Sequence, residues 1–516
     1  MKPMISMAFK MTSARIHHVF EQRLAAAPDQ PFLLTPEATL TLAHVDLQIS
    51  LLVEELQSSG VQSGDRVLIV AENCPQHVAL ILACSKLGAW SCGVNARMSR
   101  GEVAGFVAKA EPRVVYFTSG VSSAAAEHGV QAGAVASGLA GLSRSPVYAD
   151  AVAERGEAAE QVAAIIFTSG TTGAPKGVLV SHAGLLQYAR VSSASRGLGA
   201  QDRSYAYLPM THIFGLATVL MASLYAGSAL VMRSKFDPAD LFDALAHQGV
   251  SNLQGPPAMF TRLLAWLDEK GVASPAAPAL RYLYAGAAPL DMPLKCAVEA
   301  RFGLPLHHGY GLSEYAGALC LVPCGMQRDD TAAGYLVEGA ELRIVNSQGD
   351  DLASPERGEI WMRGPGLMPG YFRDADATAQ VMRQGGWYAS GDIGYVAADG
   401  ALFVVGRLKE MIIRSGFNVY PGEVEAVLSS FPGIQRAAVL GRLAADGNED
   451  VLAFVETVGG APLDLAALNV FLVDNLAPYK RPASVVCVAA LPMTLSGKVL
   501  KRALLDDVGS GRGPAH

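Results

Sequence analysis

Short apolar runs alternate along most of the chain with stretches whose apolar residues recur every three or four positions. Arg66–Val70, Val114–Thr118, Ala163–Thr168, Tyr205–Leu208, Ala229–Met232 and Arg281–Tyr284 read as buried strands. Ile16, Val19, Phe20 and Leu24 mark one face of a helix, with Ser13 as its expected N-cap. Such alternation predicts an α/β fold of parallel sheets covered by helices on both faces. After about residue 334 the pattern changes to paired two-residue alternations around an Asp/Gly-rich turn, which predicts a β-subdomain. Another start follows at Tyr420-Pro-Gly-Glu423, where proline and an acid open a helix that lines up Val424, Val427, Leu428 and Phe431. We therefore expect a large N-terminal domain over residues 1–406 and a small α+β domain over 407–516. The closing GSGRGPAH is expected to fray, and no internal repeat is evident.

One uncharged stretch changes the question. Between Arg203 and Arg233 lie 29 residues without Asp, Glu, Lys or Arg, long enough for a membrane helix. Pro209, His212, Gly215 and Gly227 interrupt it, and the order strand, helix, strand fits a buried α/β segment better. At 516 residues the chain has room for two to four domains. A net charge of −7 offers no basic patch for a nucleic acid, and 51% hydrophobic content argues against disorder. Seven cysteines are scattered without metal or redox spacing. With no targeting segment evident, packed reduced thiols point to a cytoplasmic protein.

The most informative chemistry follows the Ala163–Thr168 strand. Thr168, Ser169, Gly170, Thr171, Thr172, Gly173 and Lys176 form a loop of glycines and hydroxyls closed by a cation. Glycines let backbone N–H groups curl around phosphate oxygens, hydroxyls add donors, and the lysine adds charge. The loop is not a Walker motif, because no Gly-Lys-Ser/Thr closes it, and a plain Ser/Thr/Gly turn has a similar composition.

This loop resembles the phosphate loop of the adenylate-forming superfamily, which includes acyl- and aryl-CoA synthetases, peptide-synthetase adenylation domains and firefly luciferase. Further segments match that family in order: Leu208–His212, Ala285–Pro289, Tyr310–Glu314, Gly386–Asp392, Gly406–Glu410 and Leu495–Lys498. The resemblance implies a two-step acid–CoA ligase with a small mobile C-terminal domain. It uses ATP, Mg²⁺ and coenzyme A as co-substrate. In this reading Tyr310 and Gly311 lie at the adenine, with the Gly286, Ala287 and Ala288 backbone allowing the ring close approach. An aromatic at Tyr310 would equally suit core packing. Glu314 is implied as the Mg²⁺ ligand, beside Ser313 where Thr is commoner. Asp392 and Arg407 are implied as ribose and phosphate contacts, although an Asp there also suits a turn. His212 is implied to close the acyl pocket and guard the carboxylate; His307 and His308 receive no role. Lys498 is implied as the catalytic cation bridging carboxylate and α-phosphate. Lys409 is implied as the hinge, and Gly416 as the opening for the pantetheine arm.

Resemblance places the acid among Tyr188, His212, Phe214, Tyr284, Gly309 and Tyr315. Among Tyr188 and the segments Met210–Met221, Tyr284–Ala288 and Gly309–Ala318 that hold them, only Glu314 is formally charged, so the expectation is an uncharged acyl tail, aryl or medium-chain aliphatic. No cation is expected there for a second carboxylate. The partners implied are a small carboxylic acid, ATP and CoA. An alternative is a stand-alone adenylation enzyme that loads a carrier protein.

Overall fold

The structure is a computed structural model that describes residues 15–168, 176–414, 417–443, 449–493, 499–501 and 503–504. Two large sheets form its centre. In one, the strands Val114–Phe117, Arg66–Ala71, Trp90–Asn95 and Val162–Thr168 run parallel, and Lys176–Ser181 returns antiparallel beside the last. In the other, Leu306–Leu312, Tyr282–Ala285, Asn252–Gly255, Arg203–Ala206, Ala229–Met232 and Pro31–Leu34 are parallel neighbours. Every residue of Arg66–Ala71 and of Ala229–Met232 is buried, as expected for strands covered on both faces.

The β-subdomain appears where the pattern changes. Glu341–Val345, Gly358–Arg363, Trp387–Val396 and Leu402–Arg407 form an antiparallel sheet. Residues from Ile412 onward bury a cluster of their own, including Val424, Leu428, Val439, Val451 and Leu468. Its framework is the hairpin Ile434–Leu443/Glu449–Thr457 with Ser484–Val488 parallel to it.

Two local readings are corrected. The strand expected at Tyr205–Leu208 runs Arg203–Ala206. It stops early because the Asn73 side chain takes the carbonyls of Ala206 and Leu208, and accepts from the Met210 N–H. The first helix, Ile16–Ala26, is capped by Arg15, and Ser13 lies outside the described residues. The uncharged stretch folds as strand, helix and strand, and no described helix is long and apolar enough to cross a membrane. Of the seven cysteines, Cys74, Cys84, Cys92 and Cys320 are buried and none forms a disulfide.

Buried histidines, His77 and His182 among them, make the fold sensitive to acid. Burial lowers His77 to about 4 and His182 to about 3. The unfolded chain protonates first, near the ordinary 6.5, so stability is lost as pH falls below that value and continues to fall until the folded groups protonate. For His77 the loss reaches about 3 kcal/mol by pH 4. His77→Leu is expected to flatten urea-measured stability between pH 6.5 and 4 by about that amount. A pH dependence identical to wild type would contradict it.

Candidate active site

The strand Leu306–Leu312 of one central sheet and two strands of the β-subdomain bring their side chains to one cluster. Asp392 is 5% exposed, and it lies opposite Arg407 in the antiparallel pair Trp387–Val396/Leu402–Arg407. Its Oδ1 is 2.9 Å from the Arg407 Nε, and its Oδ2 accepts from the Tyr310 hydroxyl at 2.5 Å. The carboxylate charge holds Arg407 above its ordinary range, while burial, reinforced by Asp392, pushes the Tyr310 phenol up. Three residues distant in sequence are thus one charge-assisted network.

Tyr310 comes from the strand Leu306–Leu312. Gly311 is required there, because a Cβ would collide with the Gly317 carbonyl where the pairing with Gly317–Leu321 slips by a bulge. The buried Ser313 then opens a 3₁₀ turn, Ser313–Tyr315, that presents Glu314. Glu314 is half-buried, and burial raises its carboxyl above the usual range. Its Oε1 accepts from the Tyr371 hydroxyl at 3.1 Å. The Lys176 ammonium lies 4.7 Å over the same Tyr371 ring, and Lys176 pairs with Thr168 at the ends of their strands. Tyr371 therefore joins the acid expected to hold a cation to the lysine of the expected phosphate loop, a link that no spacing in the sequence suggested. A hard-oxygen carboxylate positioned by a phenol suits a divalent cation such as Mg²⁺. Ser169–Gly173, Gly416 and Lys498 lie outside the described residues.

A second group lines the sheet face beside this network. His212 accepts the Phe214 N–H at Nδ1 (3.2 Å), and Phe214–Met221 then winds as a π-helix, a rare form often found at functional sites. Phe214 meets Tyr284 edge-on at 5.9 Å between ring centroids. The Tyr188 hydroxyl accepts from Thr218 at 3.1 Å. Gly309 and Gly286 leave room for the Tyr284 side chain, since a Cβ at either would collide with it. The missing side chain at Gly286 leaves room for Tyr284, and Ala287 follows with a left-handed φ of 66° ahead of the half-exposed Ala288. Tyr315 does not join this group. It is buried against Gly364 and Gly366 with its hydroxyl 3.4 Å from the Arg363 carbonyl, so it braces the β-subdomain. Lys409 is exposed in the 3₁₀ turn Leu408–Glu410, which follows Arg407 directly.

The expectation that no cation lies near these residues is also corrected. Arg196, from the helix His182–Arg196, is 2% exposed and bonds the Thr218 carbonyl at 2.7 Å and Gln254 Oε1 at 2.8 Å. Arg196 and Arg190 lie on one helix with similar flanks. Arg190 pairs with Glu338 at the surface, and nothing local marks Arg196 as the buried one.

This arrangement bonds the buried Asp392 carboxylate to Tyr310 and Arg407, sets Glu314 against Tyr371, and packs Phe214 against Tyr284. The family model described as AMP-binding enzyme matches residues 20–372, and that of the AMP-binding enzyme C-terminal domain matches 423–498. The chain belongs to the AMP-binding enzyme family. It is 34% identical over 500 residues to an indoleacetate–CoA ligase of Aromatoleum aromaticum, covering 93% of this chain and 95% of the relative. A feruloyl-CoA synthase of an Amycolatopsis species is 31% identical over 494 residues, covering 93% and 98%. Among solved structures, ATP-bound MatB from Rhodopseudomonas palustris superposes with a TM-score of 0.82 at 27% identity, covering 96% of this chain and 99% of that one.

Proposed function

We propose that the chain is an AMP-forming acid–CoA ligase acting on an aromatic carboxylic acid. The observation that carries this reading is that Tyr284, which meets Phe214 edge-on, packs against Gly309, the residue before Tyr310 of the Tyr310–Asp392–Arg407 network. Edge-on rings favour a flat guest over a flexible alkyl chain, and the relatives named for feruloyl and indoleacetate substrates support the same choice.

A carboxylate oxygen of the acid attacks the α-phosphorus of ATP, forming acyl-adenylate as the bond to pyrophosphate breaks. The CoA thiol then attacks the acyl carbonyl, loses its proton, and AMP leaves. Two anions must meet in the first step, so the site has to offset charge. Lys176 and Lys498 supply cationic side chains; Arg407 and Asp392 orient the nucleotide; His212 closes the pocket beside the carboxylate. Mg²⁺ held at Glu314 would screen the phosphate charge. We place the domain boundary at 406/407, with Lys409 as the pivot between the half-reactions and Gly416 on the CoA path.

The test is an acid panel scored by CoA-dependent AMP release. Aromatic acids are expected to give acyl-CoA, AMP and pyrophosphate in equal amounts. AMP release indifferent to CoA with every acid would overturn the ligase reading. Asp392→Ala is expected to weaken ATP binding at least tenfold by calorimetry, since charge-assisted hydrogen bonds contribute about 1.5–3 kcal/mol each. Unchanged affinity would return Asp392 to a role in holding Tyr310 and Arg407 only.

A further inference from the structure

Arg196 is a fully buried cation whose described partners are all neutral. Its Nε donates to the Ser192 carbonyl, Nη1 to Gln254 Oε1, and Nη2 to both the Ser192 hydroxyl and the Thr218 carbonyl. Four of its five N–H groups are accounted for, and no described carboxylate pairs with it. A buried charge without a counter-ion is costly, and folds keep one where something compensates it.

The neighbouring amide is also incomplete. Gln254 is 0% exposed, yet its Nε2 has no hydrogen-bond partner among the described residues. The amide cannot be turned to cure this, because its oxygen already accepts from the guanidinium and a flip would set N–H against N–H. A buried amide donor left unpaired costs on the order of 1–3 kcal/mol. Gln254 and Tyr284 are register partners on adjacent parallel strands, so their side chains share one sheet face. The other wall comes from Tyr188, Arg196 and Thr218, which the π-helix and the preceding helix bring together. From His212 the π-helix leads through Phe214 to Thr218, and so from the carboxylate end of the pocket towards Arg196 and Gln254.

We propose that Arg196 and Gln254 form a polar floor that selects acids bearing an oxygen acceptor at the end of the tail opposite the reacting carboxylate. This rests on the reading of the Phe214–Tyr284–Tyr188 group as the acyl pocket. Arg196 supplies the positive field and one uncommitted N–H; Gln254 supplies an amide donor. Both donate, so the floor favours a hydroxyl, carbonyl or carboxylate oxygen over a hydrocarbon end. A site built to hydrogen-bond its substrate discriminates strongly against an analogue lacking the group, because its own buried donors are then left unpaired.

The probes are benzoate, phenylacetate and cinnamate, each carrying para-methyl, para-hydroxyl or para-carboxylate. With the skeleton that is turned over best, wild-type kcat/KM is expected to be at least tenfold higher for the hydroxyl or the carboxylate than for the methyl. Whichever oxygen acid is preferred tells a neutral acceptor from an anionic one. Gln254→Glu keeps an acceptor for Arg196 but removes the amide donor, and the oxygen-to-methyl ratio is expected to collapse to within about threefold. Gln254→Leu should collapse it too; thermal unfolding of both variants identifies the one that folds. The ratio is the readout, since a general loss of rate leaves it unmoved. A wild-type enzyme that treats methyl and oxygen acids alike, or a folded variant that keeps the ratio, overturns the inference. Absence of thioester with every acid would instead overturn the ligase reading.

Discussion

Lys498→Ala is expected to slow pyrophosphate release about a thousandfold while leaving transfer from synthetic acyl-adenylate to CoA near the wild-type rate. The lysine is assigned to the moment when a carboxylate approaches the α-phosphate. Unit charges 4 Å apart attract by about 1–4 kcal/mol between water-like and protein-surface dielectrics. The described part of the site argues for the upper end. Burial raises both the Glu314 carboxyl and the Tyr310 phenol, so charge there is poorly screened by water. Four kcal/mol corresponds to about three powers of ten in rate. Single-turnover measurement of pyrophosphate, beside acyl transfer from the synthetic adenylate, separates the two steps. A normal pyrophosphate burst in the variant would remove Lys498 from adenylation.

Lys409→Pro is expected to form acyl-adenylate and pyrophosphate in a single turnover, then fail to pass the acyl group to CoA even from pre-formed adenylate. Arg407 is tied to Asp392 in the β-subdomain, and Ile412 belongs to the core of the C-terminal residues. A rotation between these bodies has to be absorbed by the few residues from Leu408 to Met411. The turn Leu408–Glu410 has helical character, for which the φ near −65° imposed by proline is suitable. A rotated state needs a different φ at the pivot and is denied. Because the Lys409 side chain is exposed, Lys409→Ala removes little packing and serves as the control with a free backbone. Thermal unfolding of both variants checks that the turn, including Leu408 just before the proline, is retained. Wild-type CoA turnover by Lys409→Pro would place the pivot elsewhere.

The legible part of this protein was the part whose chemistry is local. A strand that must be buried on both faces is continuously apolar, so Arg66–Ala71 and Ala229–Met232 could be recognised without a fold. A glycine and hydroxyl loop closed by Lys176 stands out by composition alone, although a plain Ser/Thr/Gly turn shares it. Tyr310 and Glu314 share one motif while Asp392 and Arg407 each sit in another, and the fold brings them to one cluster with Asp392 bonded to both Tyr310 and Arg407. The order of motifs therefore determined the family and the reaction class.

The pocket was different, because burial and partnership are decided by elements far away in the chain. Tyr315 follows Glu314 immediately, yet its ring turns towards Gly364 and Gly366 to brace another sheet. Tyr371 reaches Glu314 across 57 residues, and nothing around it in the sequence signals that contact. Arg190 and Arg196 occupy one helix, and only the packing of the Asn252–Gly255 strand and the π-helix makes the second a buried cation. A side chain's identity states what it can donate or accept. Whether it meets water, an ion or a substrate depends on which surfaces close over it, and that was decided by the tertiary structure alone.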